Sequence, residues 1–356
     1  MNDPVRAKLL ARIEATNEAA ALRSLRDQIH AHMEKLLSEQ PIETFNAELN
    51  EVHDAFIRRA VALSEARMVR KGHGPPPVPY AYLLFGSGGR GEQTLTSDQD
   101  SGLVYEDPPD ESRLEAAADY FGELARSVVA MLQELGYPPC EGEVVSANPL
   151  WCQSLSAWKA KLDLWIGEPD WERVRYLLIV ADSRIVAGAA GPGEALKAHF
   201  YANKALHPEI VERMLNNTMR HKALVGVFGQ LFKEHYGEDA GSLDLKYGAY
   251  IPMVNAVRLL AIQADVERAS TLARIGELTR AGVFSDEDGG AYAEAFRLFL
   301  RLRLMTTSKL EGGFYTNNGK LSGALLTKEL IEELKTGLRV VKKLQKYVRR
   351  RASGRF

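Results

Sequence analysis

Cysteine is scarce in this chain, whose 356 residues contain only Cys140 and Cys152. Two cysteines in so long a chain cannot form the disulfide framework that stabilises small secreted proteins. The two residues also lack the spacing and the histidine partners of a metal-binding motif. We therefore expect each of them to be a small buried thiol.

Long apolar runs are absent too. No stretch approaches the roughly 20 apolar residues that a helix needs to span a bilayer, and the first residues, MNDPVRAKLL, contain no apolar signal core. The sequence predicts a cytoplasmic protein with no membrane partner.

An excess of positive charge is missing as well. The formal net charge is −2, so no overall basic field exists to attract phosphate backbones, and nucleic acid is not an expected partner. Basic residues do cluster near the C-terminus, in VVKKLQKYVRRRASGRF (340–356). The simplest interpretation is a solvated helix face, because cations are favourable near a helix C-terminus; a docking patch for nucleic acid or an acidic partner is the alternative.

The length and the pattern of breaks indicate several structural units. A single hydrophobic core seldom serves more than about 250–300 residues. Helical periodicity runs to residue 71, and the following KGHGPPPVPY, with three consecutive prolines, ends it. We predict an N-terminal helical region (1–72), a small domain of strands and helices (73–191) and a C-terminal helical domain (192–356). The expected fold class is α+β, mostly α.

A glycine-rich turn between two apolar runs, AYLLFGSGGRGEQTLTSDQDSGLVYED (81–107), is the most informative segment. It satisfies the G-x-G-x-x-G pattern of dinucleotide-binding folds, but that fold needs a crossover helix after the glycines. Only six residues separate Gly91 from Asp98, which is too short for a crossover. A P-loop is excluded because Glu92 stands where lysine is required.

The acidic doublet that follows favours a metal site. If Asp98-Gln99-Asp100 enters a strand, Asp98 and Asp100 share one face and Gln99 points to the other. Two carboxylates on one face repel each other unless a cation lies between them, and Mg²⁺ takes such ligands together with phosphate oxygens. A polar turn capped by Asp98 would explain the doublet alone, but not its coupling to the glycine turn.

The glycine turn itself is suited to a polyphosphate. Gly86 and Gly88 let the backbone approach an anion closely, and a short helix after them would present N–H groups to it. Ser87 adds a hydroxyl and Arg90 a positive charge. A triphosphate on one side and metal carboxylates on the other are the requirements of nucleotidyl transfer.

Gly86-Ser87 followed by Asp98-x-Asp100 resembles the signature of the DNA polymerase β-type nucleotidyltransferases. The longer string GSGGRGEQTLTSDQDSGLVY is most similar to the PII-uridylyltransferase-like branch, in particular to a nucleotidyltransferase domain that occurs with a helical substrate-binding domain. Softer similarities continue in CEGEVVSANPLWCQSLSAW (140–158), ADSRIVAG (181–188) and LDLKYGAYIPMVNAVRLLAIQ (243–263). The resemblance spans roughly residues 40 to 350.

The resemblance implies a Mg²⁺-dependent enzyme, with Mn²⁺ as an alternative ion, that transfers a nucleoside monophosphate from a nucleoside triphosphate. The acceptor would be a hydroxyl of a protein, as in uridylylation of a PII signal protein, or of a small molecule. It also implies a third carboxylate that activates this hydroxyl. Two residues are candidates for this third carboxylate: Glu143, in a predicted strand GEVVSA (142–147), and Asp182. Arg184, which lies beside Asp182 in the sequence, is expected to bind the nucleotide.

Two further hypotheses remain open at this point. An uncertain third carboxylate is compatible with a catalytically silent nucleotide-binding sensor. A helical interaction scaffold, in which the glycine segment is only a turn, is the other alternative.

Overall fold

A computed structural model describes residues 3–218, 224, 230–234, 236–237, 239–306 and 308–352. The chain divides into two compact units, and each is described by itself. The first unit comprises residues 1–164, 182–202 and 310–316, and the second comprises residues 165–181, 203–309 and 317–356. The N-terminal helices thus belong to the same unit as the sheet, whereas the sequence placed a boundary at residue 72.

Thirteen α-helices occur in the described residues: α1 (Asp3–Ala15), α2 (Ala19–Leu36), α3 (Ile42–Arg70), α4 (Gly86–Arg90), α5 (Leu114–Glu134), α6 (Leu155–Gly167), α7 (Trp171–Val180), α8 (Ala190–Leu206), α9 (Ile210–Thr218), α10 (Ile251–Gln263), α11 (Thr271–Arg280), α12 (Asp286–Leu304) and α13 (Lys328–Ala352). The strands of the same residues are β1 (Tyr80–Leu84), β2 (Ser101–Tyr105), β3 (Cys152–Ser154), β4 (Arg184–Gly188), β5 (Leu243–Asp244), β6 (Ser308–Glu311), β7 (Phe314–Asn317) and β8 (Lys320–Leu321).

The first unit is built on a four-stranded mixed sheet. Its strand order is β3-β2-β1-β4. β1 is antiparallel to both β2 and β4, and β2 is parallel to β3. β1 and β2 are buried at every residue, which is consistent with the apolar sequences YAYLL of β1 and LVY at the end of β2. Helices dominate the rest of the chain, so the predicted fold class, α+β and mostly α, is confirmed.

The predicted strand over residues 142–147 is wrong. The chain turns there, with the amide of Glu143 donating to the carbonyl of Cys140 and with Glu143 itself at a φ of 53°. Instead of a ladder, isolated bonds join this loop to the start of β2: the Ser101 amide donates to the Val144 carbonyl, and the Ser146 amide to the Ser101 hydroxyl. The left-handed backbone at residue 143 prevents regular strand pairing.

The composition of the segment EGGFYTNNGK (311–320) predicts a loop, but in the structure this segment contains most of a hairpin. β6 and β7 pair around Gly312 and Gly313, whose φ angles are 58° and 85°. Two consecutive positive φ angles are those of a type I′ turn, which matches the twist of paired strands. The Gly-Gly pair was therefore a hairpin signal in the sequence.

Within the first unit, buried polar contacts join the N-terminal helices to the segments around the sheet. Arg26 of α2 donates to the Leu135 carbonyl at 3.0 Å, and its guanidinium lies 3.9 Å from the ring centroid of Tyr137. His53 of α3 bonds the Tyr137 hydroxyl with Nδ1 (2.9 Å) and contacts the Thr94 carbonyl with Nε2 (3.0 Å). The N-terminal helices therefore support the segment that connects the glycine turn to the acidic doublet.

The second unit is a helical bundle around α10. Every residue of α10 from Pro252 to Ile262 is buried, as expected for a helix that is apolar on all sides. Buried Arg258 is a packing residue, donating to the Leu178 carbonyl (3.2 Å) and the Asn255 side chain (2.9 Å). The apolar pattern of the sequence predicts a helix from Pro208 to Glu234, and α9 (Ile210–Thr218) lies in its first part. Residues 219–223 and 225–229 are outside the described part of the chain, and residues 230–234 are not helical.

Within the described part of the chain, no helix combines the length and the apolar character that a bilayer crossing needs.

Burial of His53 predicts acid sensitivity. Loss of solvent, and then the charge of Arg26, lower the pKa of His53 from 6.5 to about 3. Between these values the unfolded chain binds a proton that the folded chain does not. Stability is therefore present above pH 6.5 and decreases as the pH falls. We expect His53 to contribute a loss of about 2 kcal/mol between pH 7 and pH 5.

Urea unfolding at the two pH values tests this expectation. His53→Gln should lose less stability on acidification than the unmodified chain, whatever its stability at pH 7. His32→Gln, which changes an exposed histidine on α2, is the matched control and should show the full loss. Equal pH dependence in all three proteins would contradict the prediction.

Candidate active site

The glycine segment forms one short helix between the first two strands. β1 ends at Leu84, Phe85 is in extended conformation, and α4 follows from Gly86 to Arg90. Gly91, at a φ of 65°, ends α4 in the left-handed conformation, which glycine adopts without steric cost. The predicted short helix is therefore present, with its N-terminus at the end of a buried strand.

Gly86 is in direct proximity to the second acidic residue. A Cβ atom at Gly86 would lie 2.2 Å from Oδ2 of Asp100, and the φ of Gly86 is 51°. Both the backbone angle and the nearby carboxylate therefore require glycine. This contact explains why Gly-Ser and Asp-x-Asp occur together: the glycine leaves the space into which the carboxylate of Asp100 fits.

Asp98 and Asp100 lie on the same side of the chain, just before β2 begins. One carboxylate oxygen of each and the sulfur of Cys140 lie within 4.8 Å of one another, and each of the three residues is partly exposed. Gln99 between them is buried and lines a cavity of about 120 Å³, whose lining includes Cys140 but neither Asp98 nor Asp100. The alternation expected from the sequence is present here, although these residues precede the regular strand.

Cys140 is the member of this cluster that sequence reasoning missed. Its thiol donates to Oδ1 of Asp100 at 3.0 Å. Burial, together with the charge of Asp100, raises the pKa of Cys140 to about 12, so the sulfur carries the proton that this bond needs. Cys140 is therefore a partner of a site carboxylate rather than only a buried thiol. No spacing signal could reveal it, because 40 residues separate the two side chains.

Arg90, expected to bind the triphosphate, is buried among carboxylates. Its guanidinium is 5% exposed and donates to Glu92 at 2.8 Å and to Asp182 at 2.7 Å. Asp182, a candidate third carboxylate, is 1% exposed. The structure thus brings these two predicted site residues together as an ion pair. A Cβ atom at Gly89 would lie only 2.0 Å from the Asp182 carbonyl oxygen, so α4 packs directly on this segment.

Arg184 forms a second set of contacts that hold α4 in place. Its guanidinium forms two bonds to Asp54 of α3, at 2.6 and 2.8 Å, and donates to the Gly88 carbonyl at 2.8 Å. The sequence did not identify Asp54 or Glu92 as partners of these arginines, because a sequence does not show which charged residues of a helix or loop will pair. Together the two arginines connect α4 to α3, to β4 and to the turn before β4.

Glu143, the other candidate third carboxylate, lies in the exposed turn that carries Cys140. It lines the 120 Å³ cavity together with Cys140 and Gln99. In the described residues, the group of potential metal ligands contains Asp98, Asp100 and Cys140 but not Glu143.

The donor set fits a divalent cation. Two partly exposed carboxylates can supply oxygen ligands and leave positions for phosphate oxygens or water. The thiol of Cys140 adds a softer donor at the edge of the same group, and softer ions such as Zn²⁺ accept sulfur. Ser87 is partly exposed at the start of α4, where the first N–H groups of a helix lack acceptors within it.

Two family models match the chain. One, described as "Putative nucleotidyltransferase DUF294", matches residues 23–172, and the other, described as "Putative nucleotidyltransferase substrate binding domain", matches residues 208–352. The first match contains the glycine turn, the acidic doublet and Cys140, whereas Asp182 and Arg184 lie outside both. No curated protein matches the chain.

Burial of the Arg90 ion pairs predicts a large effect on stability. Arg90→Gln removes the buried cation that pairs with Asp182 and Glu92, which we expect to cost about 3–5 kcal/mol of unfolding free energy. Arg113→Gln, which removes an exposed arginine 3.9 Å from Asp110, should have no resolvable effect. Chemical unfolding of both variants measures the difference. Normal stability of Arg90→Gln would show that the pairs do not hold the fold.

Proposed function

Since the chain belongs to the nucleotidyltransferase family that these two models describe, we propose that it transfers a nucleoside monophosphate from a nucleoside triphosphate to a hydroxyl group, with Mg²⁺ as the cofactor and Mn²⁺ as the alternative ion. The observation that carries this proposal is the approach of Asp98 and Asp100 to each other beside the start of α4. A metal site and a polyphosphate site are then adjacent.

The two carboxylates hold the metal in this proposal. A bound Mg²⁺ would neutralise the charge on the triphosphate and make its α-phosphorus more electrophilic. Asp100 is held against Gly86 and by the thiol of Cys140, so its carboxylate is positioned before a metal arrives. Asp98 is partly exposed and completes the pair. A pre-positioned ligand set lowers the cost of binding the metal and the nucleotide.

The start of α4 contacts the phosphates. The backbone of Gly86 and Gly88, the first N–H groups of the helix and the hydroxyl of Ser87 are the donors proposed for this role. Arg90 and Arg184 contribute differently from the sequence expectation. Because Arg90 is paired with Asp182 and Glu92, and Arg184 with Asp54, we assign both arginines and Asp182 to positioning α4.

In the transfer step the oxygen of the acceptor hydroxyl forms a bond to the α-phosphorus. The bond from this phosphorus to the bridging oxygen breaks, and pyrophosphate leaves with the electron pair. The proton of the hydroxyl passes to a base, for which we propose Glu143, since it is an exposed carboxylate that lines the same cavity as Cys140. The C-terminal domain, by its family description a substrate-binding domain, selects a protein or small-molecule acceptor.

A catalytically silent nucleotide sensor is the second candidate. The observation in its favour is that the cluster of possible metal ligands in the described residues contains two carboxylates and a thiol but no third carboxylate. Such a protein would bind nucleotide and metal without releasing pyrophosphate. Incubation with labelled ATP, UTP, GTP and CTP and Mg²⁺ separates the two candidates.

Removal of the two carboxylates tests the proposed catalytic role. We expect Asp98→Asn with Asp100→Asn to reduce Mg²⁺-dependent pyrophosphate release at least a hundredfold, because both carboxylate ligands of the metal are lost. The thermal unfolding temperature should not decrease, since the repulsion between the two charges is removed.

The matched control is Glu115→Gln with Asp119→Asn, which neutralises two exposed carboxylates of α5 and should leave turnover unchanged. Unfolding of the Asp98/Asp100 variant would show that the pair is structural. Undiminished turnover would contradict the metal role.

The cysteine of the cluster allows a spectroscopic test of the metal position. Cd²⁺ binds thiolates, so titration with Cd²⁺ should produce a near-stoichiometric ultraviolet sulfur-to-metal charge-transfer band. We expect Cys140→Ser to abolish this band and Cys152→Ser, which changes the other cysteine, to retain it. Loss of the band in Asp98→Asn would connect it to the carboxylates. A band that persists in Cys140→Ser would place the metal elsewhere.

A further inference from the structure

A second candidate binding site lies in the helical unit, between α12 and α13. It is a surface cavity of about 380 Å³. Five cationic side chains of α13 line it: Arg339, Lys342, Lys343, Lys346 and Arg350. They recur at intervals of three and four residues, which places them on successive turns of one helix face. All five are exposed.

The α12 side of the cavity, which faces these cations, contributes little negative charge. Asp288 of α12 lines the cavity and pairs with Lys343 at 2.5 Å, and this hydrogen bond raises the pKa of Lys343. Glu287 acts on Lys343 in the same direction. One carboxylate in the lining therefore faces five cations. In a chain whose formal net charge is −2, this is a strong local concentration of positive charge.

The packing of α13 separates this face from the core. Leu334, Val341, Leu344 and Val348 are the buried apolar residues of the opposite face of α13, so the basic residues are not needed to hold the helix in place. The favourable interaction of cations with a helix C-terminus acts only within the last turn. This interaction therefore does not explain why Arg339 and Lys342 are basic, since they lie about three and two turns before that last turn.

We propose that this cavity binds a small oligophosphate, a molecule with two or more adjacent phosphate groups. Lysine and arginine are the residues that bind phosphate oxygens, lysine as a point charge and arginine through paired donors. A concave surface lined by one sign of charge concentrates such anions. The volume falls within the range of roughly 300–1,000 Å³ that is typical of small-molecule sites. The site does not depend on the transferase activity proposed above.

The aromatic residues of the cavity favour a small ligand over single-stranded nucleic acid. Tyr292 is 2% exposed, and the hydroxyl of Tyr347 donates to the Val283 carbonyl at 2.7 Å. Proteins that bind single strands stack the bases on accessible aromatic rings. Here one ring is buried and the other is fixed by its hydroxyl, so the charges alone provide the recognition.

Calorimetric titration of the full chain with inorganic triphosphate, in buffer freed of divalent metals, tests the proposal. We expect saturable binding that weakens at high salt, because exposed charges are screened. Substitutions on α13 leave the proposed catalytic site unchanged, so a loss of triphosphate binding in such a variant distinguishes this site from the catalytic one. Lys342→Gln with Lys346→Gln should weaken binding about tenfold or more.

Two further variants make the outcome specific. Lys328→Gln with Lys335→Gln removes the same number of lysines from α13 outside the cavity and should leave the affinity unchanged. Asp288→Asn should tighten binding, because Lys343 then has no carboxylate partner in the cavity. Absence of saturable binding, or equal weakening by both lysine pairs, would overturn the proposal. Tighter binding of a 12-nucleotide RNA than of triphosphate, lost with Lys342 and Lys346, would overturn the assignment to a small ligand.

Discussion

The buried ion pair between Arg90 and Asp182 is the constraint on which the candidate site depends. A five-residue helix rich in glycine has almost no side chains of its own with which to pack. Its position is fixed instead from outside, by Asp182 on Arg90 and by Arg184 on the Gly88 carbonyl. Because charges buried this deeply are costly without a partner, the arrangement holds α4 in one place on the sheet.

This fixed helix determines where the acidic doublet can function. Gly86 leaves space for one oxygen of Asp100, and Cys140 donates to the other. The carboxylate is thereby oriented from two sides, with Asp98 close enough to share a cation. The glycine turn is thus both the proposed phosphate cradle and one wall of the metal site. This dual use explains why the spacing between the two motifs is a useful sequence signal.

Two groups of positive charges in the described residues have contrasting surroundings. In the first unit, Arg90 and Arg184 form ion pairs with the carboxylates of Asp182 and Asp54, so their charges stabilise the fold. On α13, the cations outnumber the carboxylates of their cavity and face solvent. From a sequence alone, a lysine-rich segment and a single arginine are equally plausible as ligand-binding residues. Only the partners around them distinguish a structural cation from one that can bind a ligand.

The sequence by itself determined the mostly helical α+β class, the family resemblance, the short helix at the glycines and the shared side of Asp98 and Asp100. These properties depend on local periodicity and on spacings of a few residues. The tertiary structure alone decided the pairing of Arg90 with Asp182 and of Cys140 with Asp100, across 92 and 40 residues, and the loss of the expected strand around Glu143. Long-range pairing depends on how separate elements pack, and no local pattern encodes which charged or thiol side chains packing will bring together.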